Sequence, residues 1–252
     1  MTGKPSDELR ELYERRAELH YDRPGFGLPP ERDRKFEGVW SLVASSLPVR
    51  RFLDAGCGDG RHLAAFTGVA ERPELVGSDI SERVLETARA TIAAVGVVAE
   101  LRPANLEQLP FEDESFDLVL CTQVIEHLLD PAAGMAELVR VLEPGGRLII
   151  TTDNRRTISR VLNGPRDSVV RGLRLAGRRS GVAFPHRDYS IPEFEALVDA
   201  ASLERERRAT FRIHLRAPLN RGVVQALLDR VDRVLPPHRF GDVVAIVARK
   251  PA

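Results

Sequence analysis

The segment Asp54-Ala55-Gly56-Cys57-Gly58-Asp59-Gly60 constrains this chain more than any other. It follows a short apolar run, Arg51-Phe52-Leu53, and precedes a helical stretch over residues 60–67. Glycines at alternate positions let the backbone take positive φ and let another molecule approach the main chain closely. In open α/β sheets, a turn of this kind sits where ligands bind, outside the carboxyl ends of the strands.

The rest of the chain repeats that unit. Leu75–Asp79 reads as a strand, and Ser81 can cap a helix with Val84, Leu85, Ala88, Ile92 and Val95 on its apolar face. Val97–Arg102 is a third expected strand. Phe116–Cys121 is a fourth, apolar enough to be buried on both faces. A helix follows over 131–142, and Pro144-Gly145-Gly146 turns into a fifth strand, Arg147–Thr152. Strands alternating with helices define a parallel sheet covered on both sides. The last hundred residues differ. Ser190 and Glu193 form a capping box before Phe194, Leu197 and Val198. Residues 211–216 alternate as a half-buried strand would, 224–235 carry a helical stripe, and Val243–Ala248 is a final strand, which implies an antiparallel edge. Ahead of the sheet, 6–20 and 31–46 read as helices. The expected division is an N-terminal helical cap over 1–48 and one α/β domain over 49–252, with an insert at 153–190.

The turn's spacing and charge narrow the ligand. Asp79 lies 19 residues past Gly60, at a strand end where an acid can accept hydrogen bonds from both ribose hydroxyls. Dinucleotide sites use Gly-x-Gly-x-x-Gly, with a pyrophosphate on the helix N-terminus. Here the pattern is Gly-x-Gly-x-Gly, and Asp54 and Asp59 would repel a pyrophosphate. S-adenosylmethionine has no phosphate, and its ammonium and sulfonium suit nearby carboxylates. This spacing disfavours a nicotinamide dehydrogenase.

Phe52–Gly60 resembles motif I of the class I S-adenosylmethionine-dependent methyltransferases, of the "methyltransferase 11" small-molecule type. Further matches follow in order: Val76–Ser81, Asn105–Phe111, Phe116–Val119 leading into Val124-Ile125-Glu126-His127-Leu128, and Leu142–Leu148. The resemblance covers about 49–152 and, more loosely, 186–249. It implies a Rossmann-like sheet of seven strands in the order 3-2-1-4-5-7-6, strand 7 antiparallel, with S-adenosylmethionine as cofactor and S-adenosylhomocysteine as product. It also implies roles. Gly56 and Gly58, with Ala55 in the same turn, pack against the methionine part, and Asp54 faces its ammonium. Asp79 holds the ribose and Ile80 flanks the adenine. Asn105 stands where the family usually has Asp, and its side-chain oxygen can still accept from the adenine amino group. Leu106 lines the ring. Cys121, Thr122 and Gln123 lie near the sulfonium.

Methyl transfer needs in-line approach of a nucleophile, and much of the acceleration comes from holding the reactants in place. A hydroxyl acceptor also calls for a base. The two candidates are His127, after strand 4, and His186, in Pro185-His186-Arg187-Asp188-Tyr189-Ser190. Glu126-His127 equally reads as a pair bracing its loop, and His186 as a hinge before the capped helix. Tyr13 and Tyr21 either reach over the cofactor or pack the N-terminal helices. Cys57 and Cys121 read as small apolar fillers. Neither follows a proline, as a cytosine-C5 nucleophile would, and no Asn/Asp-Pro-Pro-Tyr stands after strand 4. No metal site is expected.

Charge bears on partners. The 37 basic and 37 acidic side chains balance, giving no general reason to expect nucleic acid. Residues 154–187 nonetheless hold nine Arg, no Lys and one acid, Asp167. Three uses fit: a solvated lid whose arginines pair with acids, recognition of an anionic small-molecule acceptor, or peripheral contact with an anionic membrane carrying a lipid or quinone acceptor. No apolar run approaches a membrane span and the N-terminus has no apolar signal core, so a cytoplasmic location is expected. The leading expectation is methyl transfer to an oxygen, or second to a nitrogen, of a small molecule in a biosynthetic or tailoring pathway. The alternative is a fold that binds the cofactor without transferring methyl, as a scaffold or cyclase-like catalyst.

Overall fold

Strand residues alternate between faces, so Phe52, Leu118, Leu120 and Ile149 look one way while Leu53, Val119, Leu148 and Ile150 look the other. Both sets are fully buried, so the centre of the sheet is covered on both faces. The computed structural model describes residues 10–14, 34–155, 157, 186–211, 230 and 241–252. Seven strands form one sheet: β1 (Arg51–Ala55), β2 (Glu74–Asp79), β3 (Glu100–Pro103), β4 (Phe116–Thr122), β5 (Leu142–Asp153), β6 (Glu204–Phe211) and β7 (Val243–Arg249). Their order is β3-β2-β1-β4-β5-β7-β6. All neighbours pair in parallel except β7, which runs antiparallel to both β5 and β6. The expected architecture is therefore the one observed.

Helices α1 (Arg34–Ala44), α2 (Arg61–Ala64) and α3 (Glu82–Ala94) cover the Phe52 face, with a 3₁₀ turn at Ala65–Gly68. Helices α4 (Pro131–Val141) and α5 (Ile191–Ala200) cover the Leu53 face through Met135, Leu138, Phe194 and Val198. Each helix start has a sequence-coded reason. Ser81 accepts the Val84 N–H. Asp130 accepts from Ala132 and Ala133, with Pro131 in the first turn. Ser190 and Glu193 form their capping box.

Several expectations shift. The helix after the glycine turn is one α-turn followed by a 3₁₀ turn. The third strand lies at Glu100–Pro103, later than Val97–Arg102. The fifth begins at Leu142: the ladder passes from Phe116↔Leu142 to Leu118↔Arg147, with the expected Gly145 turn, at φ +79°, bulged between them. The strand expected at 211–216 meets the observed β6 only at Phe211. Its outer residues, Glu204–Arg207, are exposed and charged, which hides a strand from hydrophobic patterning while protecting a sheet edge. The helical stripe at 224–235 and nearly all of the arginine-rich insert lie outside the described residues.

Candidate active site

The glycine turn folds back on the end of β2. Gly56 and Cys57 N–H groups both donate to Ser78 O, at 2.7 and 2.8 Å. Gly56 takes φ +81°, and a Cβ there would fall 2.3 Å from Val124 Cγ2. Gly60 takes φ +75°, and its Cβ would lie 3.1 Å from Ala88 Cα, so no larger residue fits against α3. Asp79 is fastened to this turn. Its carboxylate accepts the Gly58 N–H at 3.1 Å and the Ser81 N–H at 3.0 Å. Burial still pushes its pKa up to about 6, against the pull of those two donors.

Asp54 lies directly beneath. It is fully buried, and neither carboxylate oxygen has a hydrogen-bond partner among the described residues. His62 Nδ1 stands 3.9 Å away, and the His62 ring stacks on Phe36 at 5.3 Å. Burial first, then the charges of Asp59 and Asp79, raise Asp54 to about 8. A buried acid without donors is costly unless something positive meets it.

A cavity of about 580 Å³ opens over the carboxyl ends of the central strands. Of the residues singled out from sequence, Gly56, Gly58, Asp79, Ile80, Asn105, Leu106 and Thr122 line it, as do His127 and His186. Asp54, Ala55 and Cys121 do not. They sit inside the strand ladder behind the wall, all fully buried, and act on a ligand only through what covers them. Asn105 Oδ1 already accepts the Glu107 N–H at 3.1 Å in a local turn, leaving one lone pair for an adenine amino group.

The second half of the cavity lies beyond β4. The His127 and His186 rings are 5.2 Å apart, although 59 positions separate them in the chain. The approach is built by main chain: Arg187 N–H donates to Glu126 O at 2.8 Å. His186 Nε2 lies 3.5 Å from Asp188 Oδ1. Glu126 is buried beneath His127, accepts the Thr152 hydroxyl at 3.1 Å, and is raised to about 7 by burial, with Asp153 adding to the rise. Tyr13 also lines the cavity and meets the His127 ring edge-on at 6.4 Å. Its neighbour Glu14 accepts from Ser81 Oγ at 2.9 Å and from Glu82 N–H at 2.8 Å, so the helical segment 10–14 is anchored on α3.

Sequence reasoning missed Lys35, Phe36, His62, Asp153 and Glu14. The periodicity of α1 placed Phe36 in the core, and helical spacing does not distinguish a cavity wall from a core contact. Cys57 and Cys121 are buried free thiols, consistent with packing roles. Among the described residues, no helix is long and apolar enough to cross a membrane.

An α/β sheet of this order, with a glycine turn latched to the next strand's acid, defines a class I methyltransferase fold. Residues 53–150 match the family model described as "Methyltransferase domain", and the chain carries a class I S-adenosylmethionine-dependent methyltransferase domain. Over 126 residues it is 39% identical to the "Probable S-adenosylmethionine-dependent methyltransferase" of Mycolicibacterium smegmatis, covering 50% of this chain and 47% of that protein. Over 112 residues it is 38% identical to the "Ubiquinone biosynthesis O-methyltransferase" of Hahella chejuensis, covering 44% and 46%. The chain thus spans about half the length of the curated relatives it matches. Among solved structures, the [4+2]-cyclase SpnF superposes with a TM-score of 0.67 over 100% of this chain and 99% of that one, at 16% identity, a likeness of fold alone.

The cofactor of this domain is S-adenosylmethionine, and the residues present fit it. Asp54 is an acid without a donor below the turn, suited to the field of an ammonium. Asp79 retains lone pairs for ribose hydroxyls after taking two N–H bonds. Ile80 and Leu106 offer apolar walls for a ring.

Proposed function

We propose that the protein transfers a methyl group from S-adenosylmethionine to an oxygen of a small-molecule acceptor, with His127 as the general base and His186 beside it. The observation that carries this reading is the pairing of two imidazoles in the cavity half next to the cofactor turn.

When bound, the cofactor supplies an electrophilic methyl on a positively charged sulfur. The protein's own residues do the rest. Asp79, held by Gly58 and Ser81, orients the ribose. The glycine turn lets the main chain lie against the amino-acid tail. Val124 packs against Gly56 where the two halves of the cavity meet. His127 takes the hydroxyl proton as the oxygen advances. Asp188 stands 3.5 Å from His186 and holds that ring beside His127. Tyr13 covers His127 from above, which narrows the way in. Positioning and base catalysis together account for the chemistry.

The Hahella relative's name points to a hydroxylated ring of the quinone type as acceptor class. The arginines of 154–187 would serve an anionic group on such an acceptor, or bring the protein to the membrane where it resides. A cytoplasmic, biosynthetic role fits both. Incubation with methyl-labelled cofactor and hydroxylated aromatic acceptors tests the proposal. Label in an O-methyl product supports it, and binding of S-adenosylhomocysteine without labelled product from any acceptor counts against it. The cyclase neighbour sustains one other reading, a cofactor-binding fold that catalyses a rearrangement. Methylated product dismisses that reading.

A further inference from the structure

Gln123, the residue after β4, combines two unfavourable features. Its backbone takes φ +57°, a left-handed conformation that is strained for a non-glycine residue. Its side-chain Nε2 is shielded from solvent and has no hydrogen-bond partner among the described residues. Such a buried donor is costly to leave unmade. The residue lines the cavity. Unpartnered donors and strained backbone at a cavity wall mark a place that a ligand completes.

Its position tells which part of the ligand. The Gln123 N–H donates to Thr151 O at 3.1 Å, so the residue is pinned toward β5. The cofactor turn, Asp79 and Asn105 stand over the ends of β1, β2 and β3, on the other side of β4. The next residue, Val124, packs on Gly56, and the Val124 carbonyl accepts the His127 N–H at 2.8 Å. Gln123 therefore stands on the acceptor side, one short turn from the base.

Resting on the reading that the other half of the cavity holds S-adenosylmethionine, we propose that Gln123 is a specificity residue of the acceptor compartment. Its side-chain amide donates to the acceptor's nucleophilic oxygen and so selects oxygen acceptors over amines. The selection follows from lone pairs. A hydroxyl oxygen gives its proton to His127 and one electron pair to the methyl carbon. The electrons of the breaking sulfur–carbon bond return to sulfur, leaving a neutral thioether. The oxygen still has a pair to accept the Gln123 N–H throughout. A neutral arylamine has a single lone pair, delocalised into the ring in the bound ground state and spent on the methyl in the transition state, so Gln123 would remain unpartnered in both. Sites that hydrogen-bond a substrate group discriminate strongly against an analogue that cannot reciprocate.

A matched pair of coloured ligands tests this. Protein saturated with S-adenosylhomocysteine is titrated with 4-nitrocatechol and with 4-nitro-1,2-phenylenediamine, the same ring with amines in place of hydroxyls, and binding is read from the visible spectrum. The wild-type protein should bind the catechol at least about tenfold more tightly. Gln123→Leu, which removes the donor at similar size, should lose most of that preference. Gln123→Glu, which sets a carboxylate against the acidic nitrocatechol while still accepting from amine N–H groups, should reverse it toward the diamine. A role in folding alone does not reverse a preference. Calorimetry with S-adenosylhomocysteine on each variant should still give saturable one-to-one binding, which separates a lost preference from a lost fold. Equal binding of the two rings by the wild type, no spectral change with the catechol, or an unchanged preference in both variants overturns the inference while leaving the cofactor reading intact. Failure of the wild-type protein to bind S-adenosylhomocysteine overturns both.

Discussion

The two halves of the cavity are made in different ways. The cofactor half comes from residues 54–60, 78–81 and 104–106, short turns at the ends of adjacent parallel strands, cross-tied by Gly58 to Asp79 and Gly56 to Ser78. The acceptor half is assembled from distant parts of the chain: Tyr13 from before the sheet, Gln123 to His127 after β4, Asp153 at the end of β5, and His186 at the far side of the insert. The first half is fixed by backbone and its sequence is a motif. The second depends on how remote segments dock, and its residues form no local pattern. The difference teaches where a chain of this fold keeps a constant function and where it can change its substrate.

Substitutions separate the halves. The largest effect belongs to the acceptor half. His127→Asn should lower kcat for methyl transfer by roughly 10²–10⁴-fold with S-adenosylhomocysteine affinity nearly unchanged, measured by label transfer and calorimetry. Comparable losses in both quantities would merge the two halves into one structural unit. Next, Asp79→Ala should weaken S-adenosylhomocysteine by about 100-fold, because a carboxylate that accepts from two ribose hydroxyls is lost.

Asp54 gives a prediction of opposite sign for stability and binding. Its folded pKa lies near 8, above the ordinary carboxylate value, so the folded protein holds a proton that the unfolded chain releases. Stability from this group is present at low pH and is lost as pH rises from about 4 toward 8. In the absence of ligand, Asp54→Asn should therefore melt higher than wild type at pH 8, by roughly several degrees, with the gap closing near pH 4. The same variant should bind S-adenosylhomocysteine more weakly, having lost the partner of the ammonium. A variant both less stable and weaker at pH 8 would make Asp54 a structural acid. The smallest effect is expected for Glu14→Gln. It weakens an anion at the start of α3, so S-adenosylhomocysteine should dissociate only a few-fold faster, as read by stopped-flow fluorescence.

The same contrast governs what could be read before any coordinates. Phe52–Gly60 and Asp79 are legible because glycine spacing and a strand-end acid carry their geometry with them, and Asn105 through the resemblance. The sheet order followed from the resemblance and from strands patterned by burial. Asp54, Ala55 and Cys121 were assigned to the site but lie behind its wall, because a motif names a turn without saying which of its side chains face inward. His127 and His186 were both singled out, each by its own segment, but their 5.2 Å approach depends on the Arg187 to Glu126 main-chain bond, which no periodicity encodes. The Glu204–Thr210 part of β6 has no apolar signal because its Glu204–Arg207 stretch pairs with Arg147, Asp199, Glu195 and Arg249 at the surface, and residues 212–216 of the expected strand lie outside the described residues. Tyr13 meets His127 while its neighbour Glu14 accepts from Ser81 and Glu82, and only the docking of a five-residue segment reveals it.

The central claim is that the turn at 54–60 wraps a cationic sulfur compound and that Asp79 holds its ribose. Calorimetric titration of the wild-type protein with S-adenosylhomocysteine, repeated with NAD, addresses it most directly. The account expects saturable one-to-one binding of the thioether, abolished or much weakened in Asp79→Ala, and no heat from NAD. Silence with S-adenosylhomocysteine, or one-to-one binding of NAD that Asp79→Ala removes, would contradict it.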